Sequence, residues 1–150
     1  MIDGYTQAIE AAVRQVTDAT GQPPVLVCHS MGGLAARAWL RAHAADDRVH
    51  HVVTIGTPHH GTWLGRFSHL ANGRQMRQGS EWLQALQREE LRARAEKFTC
   101  WYSNCDNIVF PASTATLEGA DNRLVLGVAH VHLAFDDRVI ADSLAKITAV

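Results

Sequence analysis

Ser30 stands between an aliphatic run, Val25-Leu26-Val27, and a glycine pair, Gly32-Gly33, that opens a segment rich in helix formers from Leu34 to Arg41. This order predicts a strand, a sharp turn and a helix, with the serine at the apex. Such a turn lifts a hydroxyl above the C-terminal edge of a sheet and strains the backbone beneath it. Gly32 is expected to give the room needed where the strand and the departing helix pass. The same letters also fit a Ser-Gly-Gly loop capping an ordinary helix. A raised serine can attack a carbonyl carbon if a base takes its proton and an acid orients that base. Asp106, in Ser103-Asn104-Cys105-Asp106-Asn107, follows an apolar run at the sheet end where ligand-facing loops of α/β sheets lie. It also fits a turn aspartate bonding its own backbone. His130 and His132 follow another apolar run, and either has the chemistry of a base. His29 is nearest in sequence, but on a sharp turn its ring is expected to point away from the serine.

These side chains need elements to carry them. Residues 4–19 place Tyr5, Ile9, Ala12, Val13 and Val16 at helical spacing, and Gly21-Gln22-Pro23-Pro24 ends that helix. A strand over 25–28 and a helix over 31–43 follow, then a polar turn at Asp46-Asp47 and a strand over 49–55. Residues 56–79 are rich in glycine, histidine and arginine, and are expected to form an irregular, lid-like segment with short helical turns. Ser80 is placed to cap a helix over 80–95, with Trp82, Leu83, Leu86 and Leu91 on its apolar face. A third strand over 98–102, a fourth over 124–126 and a helix over 136–149 complete the pattern. Val139, Ile140, Leu144 and Ile147 are spaced for burial in that last helix. Apolar strands alternating with helices imply an α/β fold, a parallel sheet covered on both faces. One domain over 1–150 is expected, with no repeats or linker.

Composition narrows the function classes. The chain has 150 residues, 47% hydrophobic and 19% charged, which is globular rather than disordered. A formal net charge of −1 argues against a nucleic-acid surface, which needs clustered Lys and Arg. No apolar run approaches the ~20 residues of a membrane span. Met1-Ile2-Asp3-Gly4-Tyr5 lacks the basic start and apolar core of a signal peptide, so a cytoplasmic location is the default expectation. Three cysteines do not suggest a disulfide framework. The nine histidines invite a metal, but His50-His51 and His59-His60 are adjacent pairs whose side chains diverge, and no Cys or Asp completes a zinc set. No metal and no cofactor are expected.

Four stretches carry a family resemblance. His29-Ser30-Met31-Gly32-Gly33 resembles the nucleophile elbow of the α/β-hydrolase superfamily, in its lipase and esterase branch, with Cys28 where G-x-S-x-G has its first glycine. The spacing of Asp106, Val109 and Pro111 is similar to the acid loop of many lipases. Gly127-Val128-Ala129-His130 resembles the family's histidine loop, with Ala129 in place of a glycine, and this alignment implies His130 rather than His132 as base. Thr54 to Thr62 resembles the segment after the next strand in bacterial triacylglycerol-lipase-like proteins. By that likeness Pro58, His59, Gly61 and Trp63 wall the acyl pocket and His59 and His60 do no chemistry.

The resemblance implies a serine carboxyl-ester hydrolase with a Ser30-Asp106-His130 triad, acting on small-molecule or lipid esters through an acyl-enzyme. An acyltransferase or thioesterase with the same triad, or a truncated non-catalytic remnant serving as a binding module, are the alternatives. The Met31 N–H is expected to serve the oxyanion. The family's second donor sits in a His-Gly loop well upstream, and no His-Gly occurs among the 29 residues before Ser30. The implied architecture is therefore a partial α/β-hydrolase fold of about four parallel strands flanked by helices, with little activity expected of this chain alone. Strand 25–28 becomes an apolar edge that a partner or a missing length of chain would cover.

Overall fold

The computed structural model describes residues 1–90 and 92–149. Leu91, expected on an apolar helix face, lies outside the described residues. A short 3-10 turn, Ile2–Tyr5, leads into α1 (Thr6–Thr20), which stops at Gly21 in the left-handed region, φ 71°. Then come β1 (Val25–His29), α2 (Met31–His43), β2 (His51–Ile55), α3 (Ala71–Gln75), α4 (Glu81–Arg88), α5 (Arg92–Ala95), β3 (Phe98–Ser103), β4 (Asp121–Val125), α6 (His130–Leu133) and α7 (Asp137–Thr148).

The four strands form one sheet in the order β1-β2-β3-β4, and each neighbouring pair is parallel. A parallel pair needs a crossover, and the helices between strands supply it. Alternation along the strands then splits the core in two. Leu26, Cys28, Val52, Phe98 and Cys100 pack with Val13 of α1 and with Ala36, Trp39 and Leu40 of α2. Val25, Val53, Ile55, Trp101 and Val125 face Leu133 of α6 and Val139 of α7. Parallel pairing has a consequence for function: all four strands end at the same rim. Ser30 follows β1, Gly56 follows β2, Asp106 lies in the loop after β3, and His130 starts the helix after β4.

Three elements differ from expectation, each for a tertiary reason. The helix expected over 80–95 is two, with a break where Glu90 turns inward to meet the buried Arg37 at 2.6 Å; its N-terminus is capped by Ser80, which accepts from Leu83 N. β4 begins at polar Asp121 rather than at Leu124, because Thr99↔Asp121 and Cys100↔Asn122 pair along the sheet's outer strand, where polar side chains stay exposed. In α7 the buried residues are Val139 and Ser143, while Ile140, Leu144 and Ile147 are exposed. Asp142 sets that rotation: it accepts from Trp101 Nε1 at 3.4 Å and from Arg123 at 2.7 Å. β1 has a neighbour on one side only, and Val27 is 46% exposed there.

The close approach at the turn falls one residue later than expected. A Cβ on Gly32 would meet only Cys28 Cβ at 3.7 Å, an ordinary contact. One on Gly33 would lie 2.7 Å from Thr57 Cγ2 and 2.9 Å from Thr54 Cγ2. Gly33→Ala is therefore expected to lower stability by about 1–3 kcal/mol through overpacking. Gly32→Ala should be neutral or raise stability by up to ~1 kcal/mol, since alanine favours a helix over glycine. Urea unfolding of the two variants checks this; equal effects would contradict it.

Candidate active site

Ser30 sits at φ 54° and ψ −125°, a region a non-glycine residue enters only under constraint. Three hydrogen bonds hold it there, one of them from Gly33 N–H to its carbonyl at 3.3 Å. Its N–H continues the sheet ladder to Ile55 O at 2.8 Å, and its carbonyl accepts the Thr57 hydroxyl at 2.7 Å. Its side chain caps nothing on α2, so the hydroxyl is not spent on the helix. Met31 N–H and Gly32 N–H are the first amides of α2 and have no carbonyl a turn behind them to bond. Cys28, the other nucleophile near the turn, is a thiol at neutral pH, because burial pushes its pKa up to about 12.

At the far end of the rim, His130 Nδ1 lies 2.8 Å from Asp106 Oδ2, with 5% and 2% of the two side chains exposed. Asp106 Oδ1 accepts from Ile108 N at 2.8 Å and Val109 N at 2.7 Å. Burial alone would raise this carboxyl's pKa. The hydrogen bonds from His130, Val109 and Ile108 outweigh that and hold it below the usual range. An ionised carboxylate only accepts, so the proton between the two groups belongs to Nδ1, and in the neutral ring Nε2 is then the acceptor. Asn107 Oδ1 takes the His130 N–H at 3.2 Å, fixing the backbone under the ring. His132, two residues on, is exposed.

Gly56 joins the two ends. It is the bend directly after β2, and the carbonyl joined to its nitrogen, Ile55 O, accepts the Ser30 N–H. A Cβ on it would lie 3.1 Å from His130 Cε1 and Nδ1 and 3.3 Å from Asp106 Oδ2. Gly56 has φ 57° and bonds Trp101 O at 2.8 Å. One glycine thus separates the serine turn from the imidazole–carboxylate pair. The Ser30 hydroxyl is not hydrogen-bonded to His130, whose polar partners are Asp106, Asn107 and the His29 ring.

Of the residues expected to wall a pocket, Trp63 lines a groove of about 350 Å³ with Leu64, Asp106, Asn107 and Phe110. Pro58, His59 and Gly61 are buried instead. His59 is fully enclosed: Nε2 meets Thr54 Oγ1 at 3.1 Å, its carbonyl accepts Arg37 Nη1 at 3.2 Å, and burial then the Arg37 charge push its pKa well down. It is a neutral imidazole that ties α2 to the loop after β2. Segment 56–79 is tied to the acid loop: Trp63 N donates to Phe110 O at 3.0 Å and the Thr62 hydroxyl to Ile108 O at 2.6 Å. A second hollow of about 390 Å³, lined by Arg37, His60, Gln87 and Glu90 among others, includes none of Ser30, Asp106 or His130. Sequence reasoning missed Gly56, Thr57 and Asn107; only the glycine directly after an apolar strand offered a signal. Among the described residues no group of His, Cys, Asp or Glu is arranged to hold a metal, and no helix is long and apolar enough to cross a membrane.

Comparison with known proteins gives the same outline. A family model described as alpha/beta hydrolase fold matches residues 2–100. Among solved structures, the mature form of the Bacillus licheniformis lipase BlEst2 superposes with a TM-score of 0.81 at 16% identity, over 97% of this chain and 74% of that one. Aspergillus fumigatus lipase B gives 0.65 at 18% identity, over 87% and 34%. A Paleococcus ferrophilus monoacylglycerol lipase gives 0.61 at 13% identity, over 99% and 76%. The chain spans 41% of the propeptide form of the Bacillus lipase and a third of the fungal enzyme. At these identities the likeness is one of fold.

A carboxylate held below its unfolded pKa stabilises the fold above that pKa, and the contribution fades as pH falls through the lower folded value. Asp106→Asn is expected to lose about 1–3 kcal/mol at pH 7, the cost of a buried group left without its partner. The gap to wild type should narrow below about pH 4. Urea unfolding across pH 3–7 reads this, and a gap that stays constant to pH 3 would contradict it.

Proposed function

This chain belongs to the alpha/beta hydrolase fold family, and from that premise we propose that it hydrolyses carboxyl esters through Ser30, His130 and Asp106. The observation that carries the reading is the enclosed 2.8 Å Asp106–His130 hydrogen bond, one glycine away from a serine on a strained turn. Ser30 Oγ attacks the ester carbonyl while His130 Nε2 takes its proton. Asp106 holds the Nδ1–H and balances the charge that appears on the ring. The negative oxygen is met by Met31 N–H. Collapse of the intermediate breaks the C–O bond, and the imidazolium returns the proton to the departing alcohol. A water molecule, deprotonated by the same nitrogen, then releases the carboxylate and restores the serine. The apolar groove of Trp63, Leu64 and Phe110 opens beside Asp106 and suits the acyl or alkyl part of a small-molecule or lipid ester.

One part of the machinery is thin. Among the described residues, those before β1 form a 3-10 turn and α1, so no strand-following loop there offers a second oxyanion donor. Removing one donor from such a site costs ~3 kcal/mol of transition-state stabilisation, about 10²–10³ in rate. The chain by itself is therefore expected to be a slow hydrolase, working at full rate where another segment completes the hole.

Hydrolysis of p-nitrophenyl butyrate tests the reading. Ser30→Ala and His130→Ala should each drop the rate to the uncatalysed background, while His132→Ala should stay within about twofold of wild type, since His132 makes no contact with the acid. Turnover surviving Ser30→Ala, or lost equally in His132→Ala, would overturn it.

A further inference from the structure

His29 precedes the serine and has no part in the chemistry described above. Its ring nevertheless lies against the His130 ring, with centroids 4.8 Å apart and planes at 44°. Its Nε2 is 3.3 Å from the His130 backbone oxygen. A carbonyl has no proton to give, so in this contact Nε2–H donates and the carbonyl accepts.

That carbonyl can accept two donors. It opens α6, a helix of four residues, His130–Leu133. The amide that would close an α-turn onto it is Ala134 N–H. Ala134 N–H also meets Val131 O at 3.3 Å, tightening the end of the helix. The preceding amide, Leu133 N–H, goes to Ala129 O at 3.0 Å. The carbonyl of the imidazole-bearing residue thus has a second lone pair to offer, and a side chain from β1 meets it. A helix of a single turn is a weak platform on its own.

We infer that His29 is a positioning residue for His130, acting through its Nε2–H bond to the His130 carbonyl and through ring contact. It ties the turn carrying the base directly to the turn carrying the nucleophile. Asp106 fixes the ring from the Nδ1 side, Asn107 fixes the His130 N–H, and His29 fixes the carbonyl and one ring face. His29 is itself held by the sheet, paired to Ile55, with Ser30 next along the chain. The role rests on the reading of His130 as the base. A misplacement of about 1 Å at such a site can lower the rate by up to ~10²-fold.

Three variants at position 29 separate donor, ring and fold. His29→Gln keeps an N–H donor, His29→Phe keeps the ring without a donor, and His29→Ala has neither. Steady-state kinetics on p-nitrophenyl butyrate are read alongside the downfield proton NMR resonance of the His130 Nδ1–H, which reports the Asp106 bond whether or not the protein turns over. His29→Ala and His29→Phe are expected to lower kcat about tenfold with KM within twofold, and to broaden that resonance. His29→Gln is expected to recover kcat to within about threefold and to keep the resonance sharp. Wild-type kcat and an unchanged resonance in His29→Ala would overturn the proposal, as would equal losses in the Gln and Phe variants. If His29→Ala does not fold, the Gln and Phe pair decides. Turnover that survives Ser30→Ala would instead bring down the ester-hydrolase reading, and the resonance would still judge the role of His29.

Discussion

A carboxylate and an imidazole, both nearly closed off from water, share one hydrogen bond of 2.8 Å, and the rest of the rim is arranged to keep it. Burying a carboxylate is costly unless its lone pairs are occupied. Here two backbone amides fill one oxygen and the ring fills the other. The acid is thereby held in its ionised form, the ring donates from Nδ1, and in the neutral imidazole Nε2 is left to accept. Asp106 comes from the loop after β3 and His130 from the helix after β4, so the pair exists only because those strands run parallel and in register, Ser103 opposite Val125.

The same register governs the serine's end of the rim. A serine at φ 54° is unstable in isolation, and the strain persists because its surroundings over-determine it. Ile55 O holds the amide, Thr57 Oγ1 holds the carbonyl, and Gly33 lets α2 pass against Thr57 without a gap. Thr57 is in turn steadied by its loop, whose His59 carbonyl is bonded by Arg37, itself paired with Glu90. That chain of contacts runs from a buried ion pair to the serine turn. It also explains why the helix expected over 80–95 breaks at Glu90: the ion pair takes the residue that would have continued the helix.

Much of this was legible from the residues, and what was not has a common cause. The strand–serine–helix order, bounded by Pro24 and by Gly32-Gly33, is local, and the helix over 31–43 matches its predicted limits. Asp106 and the pair His130 and His132 were singled out because each follows an apolar run, a local signal again, while the choice of His130 over His132 rested on resemblance to the family's histidine loop. The misses depend on partners far along the chain. The face α7 buries is chosen by Asp142 reaching Trp101 and Arg123, so apolar spacing alone pointed to Ile140, Leu144 and Ile147, which are exposed. β4 starts on polar residues because of what lies beside them in β3. His29 was expected to turn from the serine; that its ring meets His130 depends on where the chain returns 101 residues later. The glycine that matters most for the pair, Gly56, carries no side chain to advertise it.

The central claim is that Ser30 is the one activated hydroxyl at this rim, so the most direct measurement is covalent trapping. A fluorophosphonate added to the folded chain, followed by mass spectrometry of the proteolysed product, reads which residue has been modified. The account predicts one phosphonyl group per chain, carried by the peptide containing Ser30, with no adduct when the protein is first unfolded in urea. An adduct on any other residue of the folded protein, or labelling of Ser30 that persists undiminished after unfolding, would contradict it.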